Sequence, residues 1–315
     1  MERKIVFMFS GMGSQYFHMG EELMTREYGF AERMHAVGDI IYTLCGEDVI
    51  KMIYDDSKSK FDPFDHTVHC SLAIIAVEYA LARLLIDRGI KPDYLLGTSL
   101  GEFSSVAVSN PVNLPKIIQL LHGVMEIMEN RATEGRMIGI LDSSDRYHQY
   151  TFLHGNGEIA ADNFASHFVF SCEADRVSKV VDELKRRGIT FQVLPVKRAF
   201  HSSSIDPLER ACKTLSVNFT FAAPEIPYIS CADSDELLCF DGEWVWNVLR
   251  KPIQFRKSVD RLCGEKECVF IDLGPSGTLA NFVKYHLGGS AACYPVLMPF
   301  GNDTENFERL SRILA

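Results

Sequence analysis

Five consecutive residues have the types and spacing of a nucleophile elbow. The segment Gly97-Thr98-Ser99-Leu100-Gly101 matches the pattern GxSxG, in which two glycines let a strand turn sharply into a helix. The serine then projects from a strained corner, and the free N–H groups at the start of the helix can stabilise a developing oxyanion. Ser99 is therefore the candidate nucleophile, with an ordinary glycine-bounded turn as the alternative.

A serine hydroxyl is a weak nucleophile until a base takes its proton, so a histidine partner is expected. Among the ten histidines, His201 is the strongest candidate. It lies in the segment Arg198-Ala199-Phe200-His201-Ser202, which directly follows the last strand of a predicted small domain. A residue there enters the cleft between domains, where substrate sites commonly lie.

The elements that must position these side chains alternate between strands and helices. The continuous apolar runs Ile5–Phe9 and Cys268–Leu273 predict buried parallel strands, each ending in a glycine-rich turn. Another strand is predicted over Pro92–Gly97, followed through the serine turn by a helix that begins at Leu100. The segment His69–Arg88 is apolar nearly all round, which predicts a buried core helix.

The pattern changes between residues 134 and 195. Strands and helices there follow the order βαββαβ of a ferredoxin-like unit, with helices predicted over Ser143–Leu153 and Asp175–Arg187. We therefore predict an α/β fold. It consists of a large α/β-hydrolase-like subdomain with a parallel sheet (residues 1–133 and 196–315) and an inserted ferredoxin-like small subdomain (residues 134–195).

Composition and charge argue against several classes of protein. The chain has 42 acidic and 32 basic residues and a net charge of −10, which is unlike a nucleic-acid binder. We expect no bilayer-spanning stretch and no signal peptide. The nine cysteines show no CxxC pair and no metal-ligand spacing, so free thiols, no metal site and a cytoplasmic protein are expected.

Three motifs in this order carry a resemblance to a known family. They are Phe9-Ser10-Gly11-Met12-Gly13-Ser14-Gln15, Gly97-Thr98-Ser99-Leu100-Gly101-Glu102 and Ala199-Phe200-His201-Ser202. The chain resembles the malonyl-CoA:acyl-carrier-protein transacylase (acyltransferase) family over nearly its whole length. In character it is most similar to the free-standing acyltransferase homologues and acyl hydrolases of trans-acyltransferase polyketide synthases.

The resemblance implies a role for each matching residue. Ser99 would be the nucleophile and His201 the general base and acid, with the imidazole oriented by a main-chain carbonyl. Asp206 is a weaker candidate for that orienting role. The backbone N–H groups of Met12 and Leu100 would form the oxyanion hole. No bound cofactor is implied, because the substrates themselves carry phosphopantetheine, on an acyl carrier protein, or CoA.

Departures from the family pattern concern the acyl pocket. An arginine that pairs with the carboxylate of malonyl groups is replaced by His122, which lacks a fixed fork of donors and a permanent charge. Thr98 and Met12 replace a histidine and a glutamine, while Asn163 is kept. Phe200, beside the base, is typical of members that accept unbranched acyl groups. We therefore predict a pocket formed by His122, Phe200, Thr98 and Asn163 that takes non-carboxylated acyl chains.

The resulting prediction is an enzyme that forms acyl-Ser99 from non-carboxylated acyl thioesters, with hydrolytic release slightly favoured over transfer to a carrier protein. Three alternatives stay open: a malonyl transferase, a catalytically silent carrier-docking scaffold, and an α/β-hydrolase with His286 as its base. The expected partner is an acyl carrier protein, acyl-CoA is an alternative substrate, and the chain is expected to be a monomer without nucleic-acid or membrane partners. The basic run Lys185-Arg186-Arg187 is interpreted as a solvated helix face, with a docking patch for an acidic carrier protein as the alternative.

Overall fold

The strands of the computed structural model, which describes residues 3–264 and 267–314, form two separate sheets. The larger sheet has the strand order β10-β9-β1-β2-β7-β8, and the smaller has the order β4-β5-β3-β6. The strands are β1 Lys4–Phe9, β2 Tyr94–Gly97, β3 Gly135–Ile140, β4 Glu158–Phe164, β5 His167–Glu173, β6 Phe191–Val193, β7 Tyr228–Ser230, β8 Asp235–Glu236, β9 Cys268–Asp272 and β10 Cys293–Pro295.

Parallel pairing brings the carboxyl ends of β1, β2 and β9 to one edge of the larger sheet. Phe9 lies opposite Gly97 on one side of β1, and Met8 lies opposite Asp272 on the other. Only the short β8 runs antiparallel to its neighbour in this sheet. The loops that follow these three strands therefore meet, and they contain the glycine-rich turn, the serine turn and the turn after β9.

Helices cover both faces of the larger sheet. Alternate side chains of β1 point to opposite faces, so that Phe7 and Phe9 enter one apolar cluster while Val6 and Met8 enter another. The helices are α1 Glu21–Arg26, α2 Tyr28–Cys45, α3 Val49–Ile53, α4 Thr67–Asp87, α5 Gly101–Ser109, α6 Leu114–Arg131, α7 Ala174–Arg186, α8 Glu209–Ser216, α9 Gly242–Arg250, α10 Phe255–Cys263, α11 Thr278–Leu287 and α12 Asp303–Leu314. The predicted α/β class with a parallel sheet is confirmed.

Helix α4 is the central helix of the core. By length and composition it is also the one helix among the described residues that could cross a membrane, with a mean hydropathy of 1.6 over the apolar segment. That segment is 78% buried inside the fold. The expectation that no stretch is long and apolar enough was therefore wrong, because a helix surrounded by core needs the same apolar surface as one surrounded by lipid.

The smaller sheet is antiparallel, and all its strands lie within residues 135–193. Its strand order is that of a ferredoxin-like unit. Helix α7 covers one face through Val180 and Leu184. The helix predicted over Ser143–Leu153 is instead a 3₁₀ helix, Ser144–Gln149, followed by turns. The Asp142 carboxylate accepts hydrogen bonds from nearby donors there, and such local bonds compete with a regular helix.

Replacing Gly101 with alanine tests the packing of the serine turn against β1. A Cβ at Gly101 would overlap the carbonyl of Phe9, which cannot move without breaking the sheet. We expect Gly101→Ala to lower the free energy of unfolding by about 3 kcal/mol, at the upper end of the range for overpacking. Urea denaturation measures the difference. Gly289→Ala is the matched control because a Cβ there meets nothing within 4 Å; equal effects of both changes would contradict the close approach.

Candidate active site

The serine turn joins β2 to α5 in the geometry of a nucleophile elbow. Ser99 has a φ of 52°, in the left-handed region that is unfavourable for a residue with a side chain. A Cβ at Gly97 would lie 2.6 Å from the backbone of Glu102, so the first turn of α5 can pass β2 only at a glycine. The two glycines of the motif thus permit the chain reversal, and Ser99 lies at its apex.

His201 lies directly against Ser99. The Oγ of Ser99 is 2.8 Å from Nε2 of His201, and Nδ1 of the same ring is 2.7 Å from the carbonyl oxygen of Lys251. Because that carbonyl can only accept, Nδ1 carries the proton and Nε2 accepts a hydrogen bond from the serine hydroxyl. His201 also has a positive φ, 58°, and its backbone N–H donates to the carbonyl of Leu249.

Burial sets the protonation state of this imidazole. His201 is 1% exposed, and burial lowers its pKa to about 4, with the positive charge of Arg250 acting in the same direction. The hydrogen bond to the carbonyl of Lys251 opposes this shift. The ring is therefore neutral at pH 7 and able to take a proton at Nε2.

Neither Asp206, the weaker orienting candidate, nor His286, the alternative base, pairs with Ser99 or His201. Asp206 pairs with Arg250, which also reaches Glu158 at 3.2 Å. His286 pairs with Asp260 at 2.6 Å and does not line the cavity at Ser99. Orientation of the imidazole therefore comes from the main chain at Lys251, as the resemblance implies, and not from a carboxylate.

The glycine-rich loop after β1 lies beside the elbow. A Cβ at Gly11 would be 3.1 Å from the Cβ of Ser99, so the loop backbone approaches the serine closely. No hydrogen-bond acceptor for the N–H of Met12 or Leu100 is found among residues 3–264 and 267–314. Both N–H groups are thus available to a ligand at Ser99, as an oxyanion hole requires.

Glu78 anchors this loop and was not anticipated from the sequence as a site residue. Its Oε1 accepts from the backbone N–H of Ser10 at 2.7 Å and from the Ser10 hydroxyl at 3.0 Å. Burial raises the pKa of Glu78 to about 8. The available signal was the single carboxylate within the apolar run Leu72–Leu81 of α4, since an acidic residue is rarely buried without a specific partner.

Two more buried carboxyl groups hold the neighbouring turns. Glu102 accepts from the Ser230 hydroxyl at 2.8 Å and from the N–H of Ala232, which ties α5 to the end of β7. Asp272 accepts from the N–H groups of Gly274 and Ala280 and holds the turn between β9 and α11. Burial raises the pKa of Glu102 to about 7 and that of Asp272 to about 6.

A cavity of about 310 Å³ opens at Ser99 between the two sheets. Of the predicted pocket residues, Thr98, Asn163 and Phe200 line it, together with both members of the Ser99–His201 pair. Most of the wall is apolar, including Met137, Val169, Leu194, Val196, Ile253 and Phe282. None of the described residues that line the cavity is Lys, Arg, Asp or Glu.

His122 does not line this cavity, so its predicted place in the pocket is wrong. The residue lies half-buried in α6, and the adjacent Gly123 packs against Leu215 of α8. This stretch of α6 therefore contacts α8. The guanidinium of the buried Arg198 already has partners near the end of α6, because it donates to the carbonyls of Met128 and Glu129.

The basic run that was considered as a docking patch lies on α7. Val180 and Leu184 pack against the face of the smaller sheet formed by Ile138, Phe168 and neighbouring side chains, whereas Met137 and Val169, on the other face, line the cavity. Arg186 and Arg187 both pair with Glu183. The run is therefore on the face of the sheet opposite to the cavity.

Titration of His201 by NMR tests the buried, neutral imidazole. We expect the ring to stay neutral down to about pH 4, compared with about 6.5 for an unfolded histidine. As the pH falls below about 6.5, the unfolded chain binds this proton first, so the group destabilises the fold progressively towards pH 4. Long-range ¹H–¹⁵N spectra, assigned with His201→Gln, give the value; a midpoint at or above 6.5 would contradict the burial argument.

Comparison with known proteins agrees with this geometry. Residues 6–310 match the family described as "Acyl transferase domain". The chain is 40% identical over 308 residues to the "Polyketide biosynthesis acyltransferase homolog PksD" of Bacillus subtilis, covering 97% of this chain and 95% of the relative. It is 35% identical to the homolog BaeD of Bacillus velezensis, covering 98% of this chain and 96% of the relative.

Solved structures give the same result for the fold. The acyltransferase domain from the second module of the salinomycin polyketide synthase superposes with a TM-score of 0.86 at 27% identity, covering 98% of this chain and 72% of that one. MCAT from Streptococcus pneumoniae superposes with a TM-score of 0.83 at 23% identity, covering 99% of this chain and 100% of that one. The family match covers most of the chain, and the chain belongs to the acyl transferase domain family.

Proposed function

We propose that this enzyme removes non-carboxylated acyl chains from acyl carrier protein or CoA thioesters in polyketide biosynthesis, through an acyl-Ser99 intermediate that water hydrolyses. The single observation that carries the acyl preference in this proposal is the apolar cavity at Ser99, which has no cationic side chain among its described lining residues. Acyltransferase domains of polyketide synthases work with acyl carrier proteins and without a bound cofactor. The names of the two Bacillus relatives supply the biosynthetic context.

The acylation step follows from the hydrogen-bond directions at the pair. His201 Nε2 takes the proton of Ser99 as Oγ attacks the thioester carbonyl carbon. The carbonyl oxygen becomes an oxyanion and accepts from the N–H groups of Met12 and Leu100. The imidazolium keeps its Nδ1–H on the carbonyl of Lys251 and gives the Nε2 proton to the sulfur, so the C–S bond breaks and a thiol leaves.

Deacylation repeats these transfers with a new nucleophile. His201 takes a proton from water, the resulting hydroxide attacks the acyl-Ser99 carbonyl, and the proton returns to Ser99 Oγ as the free acid leaves. The second candidate function is transfer, in which the thiol of a carrier protein replaces water. The family match and the word acyltransferase in the relatives' names favour that candidate.

The cavity disfavours a malonyl group for electrostatic reasons. A free carboxylate moved from water into an apolar cavity loses its hydration and needs a charged or hydrogen-bonding partner in return. Arg198, the buried guanidinium near α6, already donates to main-chain carbonyls. An acetyl or longer saturated acyl group has no such requirement.

Single substitutions test the roles in acylation. We expect Ser99→Ala to abolish covalent acyl adduct formation and His201→Ala to slow it by about 10²–10⁴-fold, since the base is lost. His286→Ala and Asp206→Asn are the matched controls and should stay within about twofold, because neither residue contacts His201. Intact-protein mass spectrometry after rapid mixing measures the adduct. Retained acylation in His201→Ala would exclude the proposed base.

Acetyl-, malonyl- and hexanoyl-carrier proteins test both which acyl group loads Ser99 and whether that group is then hydrolysed or transferred. We expect Ser99 to be occupied at least about tenfold faster by acetyl and hexanoyl than by malonyl, because a malonyl carboxylate finds no cation in the cavity. Release of free acid without a second carrier supports hydrolysis. Efficient transfer to a second carrier without free acid would exclude hydrolysis as the main reaction, and equal malonyl occupancy would refute the acyl preference.

A further inference from the structure

A second space adjoins the cavity at Ser99, between the smaller sheet and α11. This outer compartment has a volume of about 410 Å³ and shares His167, Gln192, Thr278 and Phe282 with the inner cavity. Its other walls come from β6 and the residue directly before it, from Phe164 and from α11. The two spaces therefore adjoin, and these four shared side chains line both of them.

The floor of the outer compartment is a cluster of aromatic rings. Phe164 stacks on His167 with ring centroids 5.2 Å apart, and Phe282 lies 5.7 Å from Phe164 and 5.2 Å from His167. Tyr285 also stacks on Phe164, with ring centroids 5.2 Å apart, and Tyr285 is 72% exposed. Tyr285 thus continues the aromatic surface from the floor to the rim.

His167 contributes to this floor as a neutral ring. Its Nδ1 accepts from the side-chain amide of Asn163 at 3.0 Å, and burial lowers its pKa to about 4. Of the polar lining residues, Thr190, Gln192 and Asn281 are exposed and lie at the rim, whereas Thr278 is half-buried. The compartment therefore offers an apolar floor beneath a polar edge, which suits a flexible apolar chain.

We propose that the outer compartment binds the distal part of the acyl chain whose thioester carbonyl lies at Ser99, so that the enzyme selects long acyl chains over acetyl. This inference rests on the proposed function for the position of the thioester. Each methylene moved from water onto the aromatic floor would strengthen binding by up to about fourfold. Once the acyl chain is long enough to fill the inner cavity, that cavity alone cannot increase the affinity for each further methylene.

The pantetheine arm is a less suitable occupant of this space. Its amide groups need hydrogen-bond partners when they leave water, and the rings of Phe164, His167 and Phe282 supply almost none. The inner cavity also has its own accessible edge, formed by Gly13, which is half-buried, and Pro195, which is exposed. The arm can reach the surface there while the acyl chain extends over the aromatic rings.

A large side chain introduced at the rim of the outer compartment tests this assignment through the binding affinity of acyl thioesters, without the reaction. In a Ser99→Ala background, calorimetry would compare the affinities for decanoyl- and acetyl-N-acetylcysteamine, which lack most of the pantetheine arm. We expect the decanoyl thioester to bind at least tenfold more tightly, and Asn281→Trp at the rim to reduce this ratio at least tenfold. Leu287→Trp, on the same helix but outside the lining, is the matched control and should leave the ratio unchanged.

The outcomes separate this inference from the proposed function. An unchanged decanoyl-to-acetyl ratio in Asn281→Trp would overturn the chain-binding assignment even if Ser99 is acylated normally in the wild-type protein. A loss that appears equally for acetyl- and decanoyl-CoA but not for the N-acetylcysteamine thioesters would assign the compartment to the pantetheine arm instead. Conversely, if Asn281→Trp lowers the decanoyl-to-acetyl affinity ratio but Ser99 of the wild-type protein is not acylated, only the proposed reaction is overturned.

Discussion

The contact between Ser99 and His201 depends on two backbone conformations that the local sequence disfavours. Both residues have φ values near 55°, at 52° and 58°, and strain of this kind costs about 1–3 kcal/mol for each residue. The hydrogen bond of 2.8 Å between them joins positions 102 residues apart. The surrounding packing must hold both turns in place, because a single hydrogen bond contributes too little to offset this strain.

Three buried carboxyl groups provide much of that support. Glu78, Glu102 and Asp272 lie behind the loops that follow β1, β2 and β9, and each accepts hydrogen bonds from the turn or strand end beside it. Burial raises the pKa of all three. A buried acceptor of this type fixes a turn strongly, since leaving its backbone donors unpaired in the core would cost the full desolvation of those groups.

The paired residues Ser99 and His201 and the opposite wall of the cavity belong to different sheets. The pair, the carbonyl of Lys251 and the two free N–H groups belong to loops of the larger sheet and the segments packed against it, whereas Asn163, His167 and Val169 of the smaller sheet form the opposite wall of the cavity. Reaction type can therefore stay constant while the smaller sheet changes the space for the acyl group. Under the proposed function, exclusion of a carboxylate needs no repulsive group, because the described residues that line the cavity include no compensating cation.

The amino-acid sequence by itself determined the parts of this protein that depend on short-range patterns. The GxSxG spacing placed Ser99 at a strand-to-helix turn, continuous apolar runs identified β1 and β9, and the βαββαβ order identified the smaller sheet. Only the tertiary structure decided which distant side chains meet. It moved His122 out of the pocket, replaced the helix predicted over Ser143–Leu153 with a 3₁₀ helix, and brought Glu78 and His167 to the site. The physical reason is that helix rotation and loop closure depend on contacts between residues far apart in the chain, such as α6 on α8, which no local pattern encodes.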